Sequence, residues 1–130
     1  FAPFRNHPTL AVVRLGPMWL PDTTDKTVEV LATCPMMRSI QVSETHLTWD
    51  GGLKHLTAAK GLKTLDLKNC LIDPADVDRA KAELPGVAVA WEGLAGAGAA
   101  LAASPFFRGR AEKWVPKPLL ARAAEEAAKK

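Results

Sequence analysis

The chain has no tyrosine, only two cysteines, and no apolar run long enough to span a bilayer. A membrane-spanning helix needs about 20 consecutive apolar residues. The longest candidate, GLAGAGAALAA from Gly93 to Ala103, has 11 and is mostly Gly and Ala. Cys34 and Cys70 are too few for the dense disulfide framework of a small secreted scaffold, and each reads as a buried structural thiol. Metal-ligand spacings such as C-x-x-C or H-x-x-x-H are missing, and His7, His46 and His55 read as scattered surface residues. No G-x-S-x-G, phosphate loop or dinucleotide fingerprint occurs. The glycine-rich GLAGAG lacks both the strand–loop–helix unit and the Lys-Ser/Thr of a phosphate loop. Asp73, Asp76 and Asp78 cluster, but helix capping and first-turn placement account for them. The expectation is a protein with no catalytic residues, no cofactor, no metal and no small-molecule substrate.

Charge is scarce in a more particular sense. Residues 1–91 hold 10 Lys/Arg against 10 Asp/Glu, whereas residues 92–130 hold 7 against 4. The whole net charge of +3 therefore comes from the C-terminal part. A neutral body offers no basic face to phosphates, which argues against specific nucleic-acid binding. The basic end fits an acidic protein surface first, with a membrane headgroup or RNA as the other candidates. The chain opens on FAPFRNHP, with neither an initiating Met nor a basic-then-apolar signal segment. It reads as a processed mature chain or an excised fragment.

What the sequence does contain is a repeat at an offset of 25 residues. The cleanest copy is LKTLDLKNCLI, with apolar or small residues at positions 1, 4, 6, 9 and 11: Leu62, Leu65, Leu67, Cys70 and Ile72. One period earlier stand Met37, Ile40, Val42, Thr45 and Leu47, and before them a degenerate Val12, Leu15, Pro17 and Leu20. In that first copy Gly16 and Pro17 interrupt the strand, and Trp19 replaces a polar position. A partial last copy begins at Val87, with Val89 and Trp91 nearby. Positions 4 and 6 lie two apart and share one face of a strand. The second half of each copy shifts to helical spacing: Val28 and Leu31, Leu53 and Leu56, Val77 and Ala80. Thr23, Thr48 and Asp73 stand where each helix starts, and Pro74 fits the first position after Asp73. Pro35, Gly61 and Pro85 mark the exits.

The pattern L-x-x-L-x-L-x-x-C/N-x-L over residues 10–92 resembles the leucine-rich repeat, whose periods run from about 20 to 29 residues. That resemblance implies an α/β fold: a short solenoid of about three 25-residue strand–helix units with parallel strands, stacked because one unit cannot bury its own apolar face. The stretch TVEVLATCPMMRSIQVSETHLTWDGGLKHL looks like short leucine-rich-repeat proteins associated with mitochondrial ATP synthase and respiratory complex I assembly. It implies an accessory subunit of an inner-membrane-associated mitochondrial complex. The ending AELPGVAVAW looks like terminal repeats of bacterial proteins in which such arrays accompany other domains. This implies the alternative, a regulatory or substrate-recognition module cut from a larger enzyme of the bacterial periplasm or cytoplasm.

The expected organisation is an N-terminal extension at 1–11, the solenoid at 12–92 and a basic, Ala/Pro-rich docking tail at 93–130. In the tail, Phe106, Phe107 and Trp114 alternate with Arg108, Arg110, Lys113 and Lys117, and Pro105, Pro116 and Pro118 disfavour a continuous helix. The segment reads as extended, with those seven residues contacting protein subunits of a larger complex or a headgroup. A short terminal helix should carry Pro118 in its first turn, with Leu120, Ala124 and Ala127 on one face and Glu125–Lys129 and Glu126–Lys130 as ion pairs. A second candidate surface is the outward strand face. It presents Arg38, Ser39, Gln41, Ser43 and Glu44 in one copy and Lys63, Thr64, Asp66, Lys68 and Asn69 in the next.

Overall fold

The computed structural model describes residues 4–16 and 23–128, with Thr23, Thr24 and Trp114 by backbone alone. Four parallel strands, β1 (Val12–Leu15), β2 (Ser39–Ser43), β3 (Thr64–Lys68) and β4 (Ala88–Ala90), lie side by side in chain order. Helix α1 (Thr23–Ala32), a 3-10 helix (Leu53–Ala58) and α2 (Pro74–Glu83) separate them. Three further helices follow: α3 (Gly93–Ala103), α4 (Pro105–Trp114) and α5 (Lys117–Ala128). The protein is mixed α/β, with an open four-stranded parallel sheet and several helices.

The sheet keeps the expected period only in its centre. Strands β2 and β3 pair Ile40 with Leu65 and Val42 with Leu67, an offset of 25, and these four side chains are fully buried. Strand β1 pairs Val13 with Ile40 and Leu15 with Val42, an offset of 27. Val13 and Leu15 thus take positions 4 and 6, not Leu15 and Pro17, and Val12 is 56% exposed. The strand ends before Gly16 rather than being broken by it. A two-residue slip is permitted because it leaves every side chain on its original face. Pro17, Trp19 and Leu20 lie outside the described residues. Strand β4 pairs Leu65 with Val89, an offset of 24, which turns Val89 and Trp91 toward the core. The turn after β2, β3 and β4 repeats as well. Glu44, Asn69 and Gly93 all have positive φ (50°, 56° and 88°) at spacings of 25 and 24. Asn and Gly enter this region readily, whereas Glu44 holds it at a cost of about 1–2 kcal/mol.

The main core lies between the sheet and the intervening helices. Val28 and Leu31, Leu53 and Leu56, and Val77 and Ala80 all point inward, as their spacing of three requires. Asp73 caps α2 by accepting from the Ala75 amide (2.9 Å), and Pro74 occupies the first turn. The middle unit differs. Thr48 starts no α-helix: its amide and hydroxyl both go to Asp25 of α1 (3.1 and 2.8 Å). A Cβ on Gly51 or Gly52 would lie 2.4–2.5 Å from that carboxylate, so the Gly-Gly pair leaves room for Asp25. The Trp49 amide in turn donates to Asp76 of α2 (3.2 Å). Acids from both neighbouring helices thus hold the start of the shorter unit.

Residues 93–128 are helical, not extended. The Gly/Ala stretch becomes α3, consistent with the high helix propensity of Ala. The prolines sit where helices tolerate them: Pro105 starts α4, Pro116 separates α4 from α5, and Pro118 lies in the first turn of α5 as expected. The Ser104 hydroxyl accepts from the Phe107 amide (3.2 Å) and caps α4. Leu94, Ala97, Leu101, Phe107, Ala111, Val115, Leu119 and Ala123 form a second buried cluster, which reaches the sheet-bearing part through Leu71. The inward face of α5 is Leu119 and Ala123; Leu120 and Ala127 are only half-buried and Ala124 is exposed. The expected pairs to Lys129 and Lys130 lie outside the described residues. Helices α3 and α5 touch closely: a Cβ on Gly98 would lie 2.1 Å from the Ala123 carbonyl oxygen.

Candidate functional site

Helix α4 divides its side chains among three directions. Phe107 and Ala111, one turn apart, enter the tail core, and Phe107 is 1% exposed. Its placement among the docking residues is therefore corrected: its ring anchors the helix instead. Phe106, Arg110 and Lys113, at helical spacing i, i+4, i+7, face solvent. The Phe106 ring is 64% exposed, and the Arg110 guanidinium sits 5.0 Å above it. The planar cation over the ring face holds the aromatic in place without covering its far side. Lys117, at the start of α5, is also exposed. Arg108 points a third way, with Glu112, into a cleft between the tail helices. The Trp114 side chain lies outside the described residues. Of the seven expected tail residues, Phe106, Arg110 and Lys113 thus share one face; Arg108 and Lys117 are exposed elsewhere.

The strand face brings the other expected residues together. Arg38, Lys63, Thr64 and Lys68 are exposed, and Ser39, Gln41, Ser43, Glu44, Asp66 and Asn69 half-buried. Gln41 stands in register beside Asp66, and Ser43 beside Lys68. The Thr64 hydroxyl donates to the Ser39 hydroxyl (2.8 Å). The Asn69 amide is already taken by the Glu92 carboxylate.

Where the tail meets the sheet-bearing part, a cleft of about 280 Å³ is lined by His46, Thr48, Asp73, Asp76, Leu119 and Arg122 among others. The residue types invite a catalytic reading, yet the polar groups are engaged structurally. His46 Nδ1 lies 2.8 Å from the Leu71 carbonyl oxygen and is therefore its donor. Thr48 is bound to Asp25, Asp76 to the Trp49 amide, and Asp73 to the Ala75 amide and to Arg122 (3.4 Å). The cleft lies at the joint between the tail helices and the sheet-bearing part. Its sequence signal was Leu71, an apolar residue at the outward position where the preceding copy has His46.

Both cysteines are free and buried. The Cys70 thiol donates to the Val42 carbonyl oxygen (3.4 Å) and the Cys34 thiol to that of Phe4 (3.2 Å). Burial pushes the Cys70 pKa up from 9.0 to about 12; the hydrogen-bonded Thr45 backbone opposes this, and Glu92, Asp66 and Glu44 add to it. The thiolate needed for nucleophilic or redox chemistry is therefore disfavoured. Among the described residues no group of His, Cys, Asp and Glu is placed to hold a metal ion, and no helix is long and apolar enough to cross a membrane.

No known protein family, curated protein or solved structure matches the chain.

Proposed function

We propose that the chain is a non-catalytic accessory subunit, in which residues 12–92 form a short leucine-rich-repeat solenoid of about three units and residues 93–130 dock onto protein subunits of a larger assembly. The in-register strands β2 and β3 and the left-handed residue after successive strands support the repeat reading. One observation carries the docking reading: Phe106 remains 64% exposed on a helix whose other side is firmly buried. A large exposed ring beside Arg110 and Lys113 is the composition of an interface anchor. The partner it fits is a protein surface with an apolar notch bordered by carboxylates. The sequence resemblance names a mitochondrial ATP synthase or respiratory complex at the inner membrane as such an assembly.

The test is co-purification of the tagged chain from its native cells, with mass spectrometry of what accompanies it. The wild type is expected to bring down a complex at fixed stoichiometry, and Phe106→Ala with Arg110→Glu to release it. Retention of the complex by that variant overturns the reading. Binding to anionic vesicles with no accompanying protein would assign the basic face to headgroups instead. A second reading, a recognition module, draws support from the exposure of Lys63, Thr64 and Lys68 on β3. Under it, binding is lost on charge reversal at Lys63, Asp66 and Lys68 and survives the Phe106 change.

A further inference from the structure

Four glycines lie within helices of the described residues, and three of them have a visible reason. Gly93 opens α3 with a positive φ of 88°, which residues with side chains rarely adopt. A Cβ on Gly96 would strike the Glu92 side chain, which is held by the Asn69 amide. A Cβ on Gly98 would strike the Ala123 carbonyl, where α5 packs on α3. Gly109 is the exception. It lies in the middle of α4, exposed, and a Cβ there would meet no other element of the chain within 4 Å. Its φ is not positive either. Glycine in a helix interior is destabilising relative to alanine, because it has more backbone freedom to lose on folding. Nothing inside the chain offsets that cost.

The position of Gly109 gives it a use. Phe106, Gly109, Arg110 and Lys113 stand at i, i+3, i+4 and i+7, on the side of α4 turned away from Phe107 and Ala111. The missing side chain leaves a notch beside the exposed Phe106 ring. Arg110 and Lys113 border it, and neither forms an ion pair among the described residues. Glu112, the one acid of α4, lies with Arg108 along the cleft toward α3 and α5.

We infer, resting on the docking reading above, that this face takes an α-helix of a protein subunit, which crosses α4 with its backbone against Gly109. The distance between packed helices is set by the side chains at the contact. Gly98 shows the same device inside the chain: a helix glycine stands where a second helix brings its main chain close. The backbone groups of α4 are bonded within the helix, so an extended segment laid across it would find no partners for its own amides. A helix brings its backbone already satisfied. Headgroups of a lipid surface would bind Arg110 and Lys113 whether or not a methyl group stood at 109. The crossing helix therefore carries Gly, Ala or Ser at the contact, and Asp or Glu about one turn away, facing Arg110 and Lys113.

The test uses the purified full chain and the complex that the wild type retains in co-purification. Gly109→Ala is expected to act in two opposite directions. It should raise the melting temperature of the free chain by a few degrees in circular dichroism. It should also weaken binding to the complex by about tenfold, as overpacking of a close contact does. Gly109→Leu should still fold and weaken binding further. A glycine that served only the folding of this chain would move stability and binding together. Zero-length carbodiimide cross-linking of the wild-type complex should join Lys113 to an Asp or Glu on a helix of the partner, within one turn of a small residue. The crossing is overturned if both Gly109 variants bind as wild type does, or if Gly109→Ala destabilises the free chain. A Lys113 cross-link into an extended segment, or none at all, overturns it too. The Phe106→Ala, Arg110→Glu variant separates the two readings. If it releases the complex while the Gly109 variants retain it, docking stands and the helix crossing falls. If it retains the complex, or if the wild type brings down no protein, both fall.

Discussion

The sheet-bearing part and the helical tail each enclose an apolar cluster, but they are held together by different means. In the first, Met37, Ile40, Leu47, Leu53, Leu65, Leu67 and Ile72 fill the space between strands and helices, and hydrogen bonds from strand to strand tie successive units together. In the second, Ala97, Ala111 and Ala123 stand beside the fully buried ring of Phe107, with Trp91 partly buried against the same cluster. Each tail helix satisfies its own backbone, so its attachment depends on close approach rather than on shared hydrogen bonds. The sheet-bearing part should therefore be most sensitive to lost volume and the tail most sensitive to added volume.

The largest effect is expected where volume is removed from the sheet. Leu65→Ala should cost about 2–5 kcal/mol in urea unfolding, because the fully buried site is walled by strands that cannot collapse into the cavity. The complementary change is Gly98→Leu, expected to cost about 1–3 kcal/mol by forcing α3 and α5 apart. The obstructing atom is the backbone carbonyl of Ala123, which no rotamer change removes. Hydrogen exchange distinguishes the two regions. Amides of α3 and α5 should exchange faster in this variant while those of β2 and β3 keep their protection. Uniform loss of protection would mean that the chain unfolds as one unit and would break the comparison.

An intermediate effect should appear at alkaline pH and only through the sheet-bearing part, which holds the buried Cys70. The folded-state pKa lies above the ordinary value, so the neutral thiol is the form that folding favours. Stability from this group is complete below pH 9.0 and falls as pH rises toward about 12. In that window the unfolded chain has lost its proton and the folded chain has not. The expected decline is about 1.4 kcal/mol per pH unit. Cys70→Ala should unfold more easily than wild type at pH 8 and lose this part of the pH dependence, so the two denaturation midpoints converge as pH rises. Parallel curves would show that the thiol is not shielded as its burial indicates.

The same contrast explains which parts of the fold were legible from sequence. Residues such as Ile40, Val42, Leu65 and Leu67 have one physical reason to be apolar, and their two-residue spacing states it directly. The slipped registers of β1 and β4 were not legible, since Val12, Val13 and Leu15 allow two alignments that differ only in strand pairing. The short middle helix was hidden for another reason. Gly51 and Gly52 read as helix-breaking only when the Asp25 carboxylate is known to occupy the space beside them. The tail misleads through Pro105, which reads as a breaker although Ser104 before it is a capping signal, whereas Pro118 sits in the first helical turn that the sequence suggests for it. Phe107 was placed outside with Phe106 because adjacent aromatics look alike until the helix assigns them to different sides. The basic side chains at Arg108, Arg110, Lys113 and Lys117 are exposed, as charged groups on a helix surface are.

The smallest expected effect concerns the link between the two regions. Asp73 caps α2 and also lies 3.4 Å from Arg122 of α5, with side chains 48% and 51% exposed. Solvent screens a pair so exposed, and Arg122→Ala should change stability by less than about 0.5 kcal/mol. Asp73→Ala should cost about 1 kcal/mol, nearly all of it from the lost cap on the Ala75 amide. The double variant should then cost about the sum of the two, leaving a coupling energy near zero. If so, the tail is held to the sheet by the apolar contacts of Leu71 and Trp91 with the tail cluster. Leu71→Ala should accordingly expose α5 to hydrogen exchange where Arg122→Ala does not. A coupling above about 1 kcal/mol would reverse this order and make the ion pair the latch.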